Sequence, residues 1–161
     1  MRITGWSLIV ILVALLSIQF SFAAETTVPN LTFNTVEGDL SLKSLNGQVV
    51  YLDFWASWCG PCRKSFPWMN KMQARYGKQG FKIIAVNVDR DQSLAKIFLE
   101  KYPANFTIAF DPGGLAAKQF EVKGMPSSYL IDRHGHILSS NIGFTEKEAV
   151  IMEELIKTSI K

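Results

Sequence analysis

The chain has 161 residues, 48% of them hydrophobic, with 17 basic and 14 acidic side chains for a formal net charge of +3. That length fits one domain with a full core, and so mild a charge, without a basic run, excludes a dedicated nucleic-acid binder. With only two cysteines and no finger-type spacing for His134 and His136, no metal site is implied.

Residues 1–24 read as a targeting segment. Arg2 supplies a positive end, residues 8–18 an apolar core, and Ser21 and Ala23 the small residues that favour cleavage after Ala23. The uncharged stretch 3–24 also approaches the roughly 20 residues that span a bilayer, so an uncleaved anchor is the competing reading. The expected division is a signal peptide or anchor at 1–23 and a single domain at 24–161. No cysteine lies near the leader, which excludes a lipoprotein anchor. Losing residues 1–23 removes only Arg2 and leaves a net charge of +2. In either case the domain is expected outside the cytoplasm, where disulfides persist.

Residues 25–46 form a polar entry with short extended pieces at 31–33 and 39–42, turned at Gly38, and Asn46-Gly47 turns the chain into the next strand. Residues 49–55 are β-branched, aromatic or aliphatic except for Asp53, the pattern of a strand covered on both faces. A carboxylate there costs free energy unless it is paired or its pKa rises. Two readings of Asp53 stand side by side: a buried proton acceptor that assists Cys62 through water, and a carboxylate hydrogen-bonded to nearby backbone.

The strand runs into Cys59-Gly60-Pro61-Cys62. Proline is tolerated in a first helical turn, because its missing amide hydrogen has no partner there anyway. Cys59 therefore falls at or just before a helix N-terminus, where unpaired amides and the helix dipole stabilise a thiolate. Attack on a disulfide requires that thiolate, and Cys62 lies one turn further on. The expected cycle has Cys59 attacking a partner disulfide and Cys62 resolving the mixed disulfide. A purely structural bridge fits poorly, since closing a loop of about four residues constrains the unfolded chain little.

The helix is expected to run to about residue 76, with Phe66, Met69, Met72 or Gln73, and Tyr76 near helical spacing, Pro67 bending it, and Arg63 and Lys64 solvated. Gly77 and Gly80 end it, and residues 81–88 follow as a second buried strand, completing a βαβ unit. Asp91 or Ser93 caps the next helix, with Leu94, Ile97, Phe98 and Tyr102 on one face and Pro103 beyond its end. Residues 106–110 read as a strand, 111–114 as a turn and 115–120 as a short helix. The turn lacks the Lys-Ser/Thr ending of a phosphate loop. Residues 128–132 and 136–142 make a hairpin that leaves both histidines as solvated turn residues. Thr145 and Glu148 form a capping box for a last helix that packs Val150, Ile151, Leu155 and Ile156 inward.

The segment Asp53-Phe54-Trp55-Ala56-Ser57-Trp58-Cys59-Gly60-Pro61-Cys62 resembles the active-site segment of thioredoxins, and Pro67 matches the proline inside their active-site helix. The leader and Phe66-Pro67-Trp68-Met69 narrow the resemblance to extracytoplasmic TlpA/ResA-like thiol–disulfide oxidoreductases, over residues 29–161. It implies an α/β thioredoxin-like fold: a central mixed sheet flanked by helices, with an N-terminal β-hairpin and an added strand–helix element within residues 89–123. It implies a redox-active Cys59–Cys62 disulfide and no cofactor. It implies a cis-proline at Pro126 facing the cysteines, with Met125 offering backbone to a substrate segment and Trp58 an apolar contact. The partners it implies are a disulfide-containing exported protein and a membrane-bound electron donor, and several such proteins reduce apocytochrome c. The group often carries a glutamate three residues after the second cysteine, where this chain has Ser65. Gly60-Pro61 between the cysteines matches thioredoxin, the reducing end of the family's range. The alternatives are an oxidase or isomerase of secreted proteins and a binding module whose cysteines are incidental. A peroxiredoxin-type peroxidase fits less well, because the proline leading its Thr/Ser-x-x-Cys signature is missing here.

Overall fold

The computed structural model describes residues 27–161. The expected leader lies outside the described residues, among which no helix is long and apolar enough to cross a membrane. In chain order the strands are β1 (Thr32–Thr35), β2 (Gly38–Ser41), β3 (Val49–Trp55), β4 (Phe81–Asn87), β5 (Thr107–Phe110), β6 (Ser127–Ile131) and β7 (Ile137–Ile142). The helices are α1 (Cys62–Tyr76), α2 (Gln92–Lys101), α3 (Leu115–Gln119) and α4 (Glu146–Ser159).

All seven strands join one sheet in the order β2-β1-β5-β4-β3-β6-β7. Strand β3 pairs parallel with β4 and antiparallel with β6, and β4 pairs parallel with β5, so the sheet is mixed. The β3–α1–β4 crossover is the expected βαβ unit. The N-terminal hairpin β1–β2 docks antiparallel on β5. With α3, β5 forms the strand–helix insertion that resemblance implied.

Because side chains alternate along a strand, β3 divides its residues between two cores. Val49, Tyr51 and Trp55 face a cluster built with α1, α2 and α4. Val50, Leu52 and Phe54 face a second cluster closed by the N-terminal hairpin and α3. Every residue of β3 is buried. Burying each of its large apolar side chains contributes about 1.5–3 kcal/mol, which is why this strand anchors the sheet.

Two helices are rotated from the expected phase. In α2 the inward residues are Ala95 and Phe98, with Leu99 and Tyr102 packed at the edge of the core, while Leu94 and Ile97 are exposed. In α4, Met152 and Ile156 are buried with Leu155 against them, and Val150 and Ile151 face solvent. Both helices carry apolar residues on more than one stripe, so spacing alone does not choose the buried one. The caps sit where expected, the capping box only half made: Asp91 accepts the Ser93 amide at 2.9 Å and Thr145 Oγ1 the Glu148 amide at 3.2 Å. His136 is not a bare turn residue, since its Nδ1 lies 3.2 Å from Asp132 Oδ2.

The rotation is testable by truncation. Ile156→Ala should cost about 2–5 kcal/mol in urea denaturation, as buried isoleucines do, whereas Val150→Ala should stay within about 0.5 kcal/mol. The reverse ranking would restore the other face as the buried one.

Candidate active site

The site is made where β3 leaves the sheet. After Trp55 the chain turns, the Cys59 amide donating to Ala56 O at 3.0 Å, and α1 begins at Cys62 behind Pro61 in helical conformation. Cys59 and Cys62 are joined in a disulfide, S–S 1.98 Å with Cα atoms 5.4 Å apart. The Cys62 amide, one of the donors a helix start leaves without an intrahelical acceptor, points at Cys59 Sγ from 3.3 Å. An amide so aimed stabilises negative charge on that sulfur. Exposure distinguishes the two sulfur-bearing residues: Cys59 is 3% exposed and Cys62 0%. A partner therefore meets Cys59 first.

A clamp that the sequence reading missed holds the loop in place. The buried Asp89, just past β4, accepts from the Ser57 amide at 2.8 Å and from the Ser57 hydroxyl at 3.0 Å. Asn87 Nδ2 donates to the same carboxylate at 2.8 Å. The signal was present as two polar residues, Asn87 and Asp89, at and just past the end of a largely apolar strand. The partner of Asp89, Ser57, is 32 residues away, beyond the reach of local pattern. Ser65, where relatives of the resembled group often have glutamate, is fully buried and donates to Cys62 O at 3.2 Å.

Asp53 lies mid-strand at 1% exposure, on the face of β3 shared with Tyr51 and Trp55 and covered by α1. Its Oδ2 is buried without a hydrogen-bond partner among the described residues. Burial raises its pKa well above the usual carboxylate range. Backbone hydrogen bonding, the second of the two readings, does not account for that oxygen.

The Met125–Pro126 peptide bond is cis. Phe54 of β3 pairs with Ser127, so this bond lies at the end of the sheet where β3 enters the cysteine loop. Met125 is half-buried against both apolar clusters, one of which contains Cys59 and Cys62. Trp58 is 68% exposed beside Cys59 and belongs to neither core. The register thus sets Pro126 across from the end of β3, the strand that carries Asp53 and runs into the Cys59–Cys62 loop, and Trp58 is exposed on that loop.

A central strand that delivers a Cys-x-x-Cys disulfide onto a helix start, within this sheet, defines a thioredoxin-like protein-disulfide oxidoreductase. The chain belongs to the Redoxin family, whose model matches residues 23–156. It is similar to the thiol-disulfide oxidoreductase ResA of Bacillus thuringiensis subsp. konkukian, 36% identical over 130 residues, or 80% of this chain and 74% of that protein. The ResA of Halalkalibacterium halodurans is 34% identical over 137 residues, covering 84% of this chain and 77% of its own. Among solved structures, one from Chlorobium tepidum described as a thiol:disulfide interchange protein DsbE superposes with a TM-score of 0.83. It is 46% identical, over 85% of this chain and 97% of that one.

The raised Asp53 pKa has a consequence for stability. Between the unfolded and folded pKa values the folded chain keeps a proton that the unfolded chain has released, so stability falls as pH rises through that window. Asp53→Asn cannot ionise and escapes the loss. Its melting temperature should exceed that of wild type by a margin that widens as pH rises above the ordinary carboxylate range. A margin independent of pH would mean that Asp53 titrates as an ordinary carboxylate.

Proposed function

We propose that this oxidoreductase works outside the cytoplasm as a reductant of exported proteins. The thiolate of Cys59 attacks a substrate disulfide and forms a mixed disulfide. Cys62 then attacks Cys59 Sγ, releasing the reduced substrate and regenerating the Cys59–Cys62 bond. Asp53 accepts the Cys62 proton. The observation that carries the reading is the aim of the Cys62 amide at Cys59 Sγ, with Cys59 outermost of the pair. It supports Cys59 as the ionised, attacking sulfur and Cys62 as the sheltered resolving one.

The leader-like residues 1–23 support an extracytoplasmic, periplasm-type location. Gly60-Pro61 between the cysteines matches thioredoxin, which supports the reducing direction. Working as a reductant in an oxidising compartment, the protein draws electrons from a membrane-bound donor. The substrate segment runs past Met125 and Pro126 in extended form, with Trp58 as its apolar contact. Apocytochrome c, whose cysteine pair must be reduced before haem attachment, is the substrate class that the resemblance to ResA-like proteins favours.

Insulin reduction and redox titration test this. Cys59→Ser should lose detectable insulin reduction, and Cys62→Ser should accumulate a mixed disulfide through Cys59. The reduction potential should lie nearer thioredoxin's value of about −270 mV than the value of about −120 mV typical of a strong oxidant. A potential at the oxidising end would overturn the reductant direction, and full activity of Cys59→Ser would overturn the chemistry.

A further inference from the structure

Asp53 can accept the Cys62 proton only when it is itself ionised. The proton it loses beforehand must reach solvent from a side chain at 1% exposure. A pocket of about 130 Å³ lies alongside, lined by Tyr51, Ser128 and Glu148 among others. Tyr51 is two positions before Asp53 on the same face of β3. Ser128 is the cross-strand partner of Asp53, and such partners have Cβ atoms about 4.5–5.5 Å apart. Two residues that line the pocket are therefore direct neighbours of Asp53, one along β3 and one across on β6, and the pocket's serines, Asn141 and Glu148 offer partners to water within that volume.

Glu148 stands apart in this setting. In a full capping box its carboxylate would turn back to the Thr145 amide. Here only the other half is made, Thr145 Oγ1 accepting from the Glu148 amide at 3.2 Å. The Glu148 side chain lines the pocket instead, with Oε2 buried and unpartnered among the described residues, as is Asp53 Oδ2. Among the described residues Glu148 is the only charged side chain lining the pocket. Strand β7 contributes serines and Asn141, and α1 contributes Trp68. Burial, and then the charges of Asp53 and Glu148, raise the Tyr51 hydroxyl pKa, which places both carboxylates within electrostatic reach of one phenol.

We propose that Glu148 is a proton-relay residue acting through Asp53, passing the Asp53 proton to solvent by way of the pocket beside Tyr51 and Ser128. The inference rests on the reading of Asp53 as the acceptor for Cys62. In the resolving step the Cys62 S–H bond breaks and its proton goes to the Asp53 carboxylate. The Cys62 electron pair forms the bond to Cys59, and the substrate sulfur leaves as a thiolate with the electron pair of the broken bond. Asp53 becomes ionised before that step, and again after it, by releasing its proton through pocket water to the Glu148 carboxylate, which gives it to bulk solvent.

The test follows one turnover of the reduced protein with one equivalent of dithionitrobenzoate, which releases a coloured thiolate first on Cys59 attack and again on Cys62 attack. In Glu148→Gln the change should be confined to the second phase. It should slow roughly tenfold, less than for loss of a group that takes the proton directly, and recover as imidazole is added. Tyr51→Phe, which keeps the ring and removes only the hydroxyl, should slow the same phase. Glu154→Gln, an exposed change on the same helix, should leave both phases as in wild type. A second phase in Glu148→Gln that matches wild type, or one that slows without recovering in imidazole, overturns the relay alone. A single phase in wild type would show that Cys62 does not resolve, and the underlying reading would fall together with the relay.

Discussion

The contact on which the site depends is the one from the Cys62 amide to Cys59 Sγ at the start of α1. An amide hydrogen without an intrahelical partner is aimed at a sulfur that has to carry negative charge. That geometry needs a strand that ends in one place and a helix that begins in another, a few residues away. Strand β3, buried along its whole length between two apolar clusters, fixes the first. Pro61, already helical in conformation and lacking an amide hydrogen, sets the second.

The loop between them is short, and the Asp89 carboxylate holds it. That group takes two hydrogen bonds from Ser57 and one from Asn87. The loop is thereby tied to the end of β4, the neighbour of β3, so both ends of the cysteine turn refer to the same sheet. Beneath it, Asp53 contributes the opposite of stability. Its burial disfavours the charged form, a cost that the surrounding apolar packing offsets.

Much of this was legible before any coordinates. The apolar run at 49–55, the proline after the first cysteine and the glycines after residue 76 are local signals, and they place β3, α1 and β4 almost to the residue. The hairpins at both ends and the caps of α2 and α4 were equally readable, because turn and cap chemistry involves residues a few positions apart. The implied cis bond at Pro126 is present. What pattern did not reveal is tertiary. The buried faces of α2 and α4 depend on how each helix docks, and Leu94, Ile97, Val150 and Ile151 face solvent although their spacing suits a core. The Asp89 clamp joins residues 32 apart, and the pocket lined by Tyr51 and Ser128 exists only once β6, β7 and α4 meet.

The account therefore stands on the acidity of one sulfur. The rate at which iodoacetamide alkylates the reduced protein, followed across pH and assigned to Cys59 by mass, measures that acidity directly. The rate should rise through a midpoint at least one unit below the value of about 8.5 for free cysteine, with Cys62 reacting far more slowly. A Cys59 midpoint at or above that of free cysteine would contradict the claim that the helix start stabilises its thiolate.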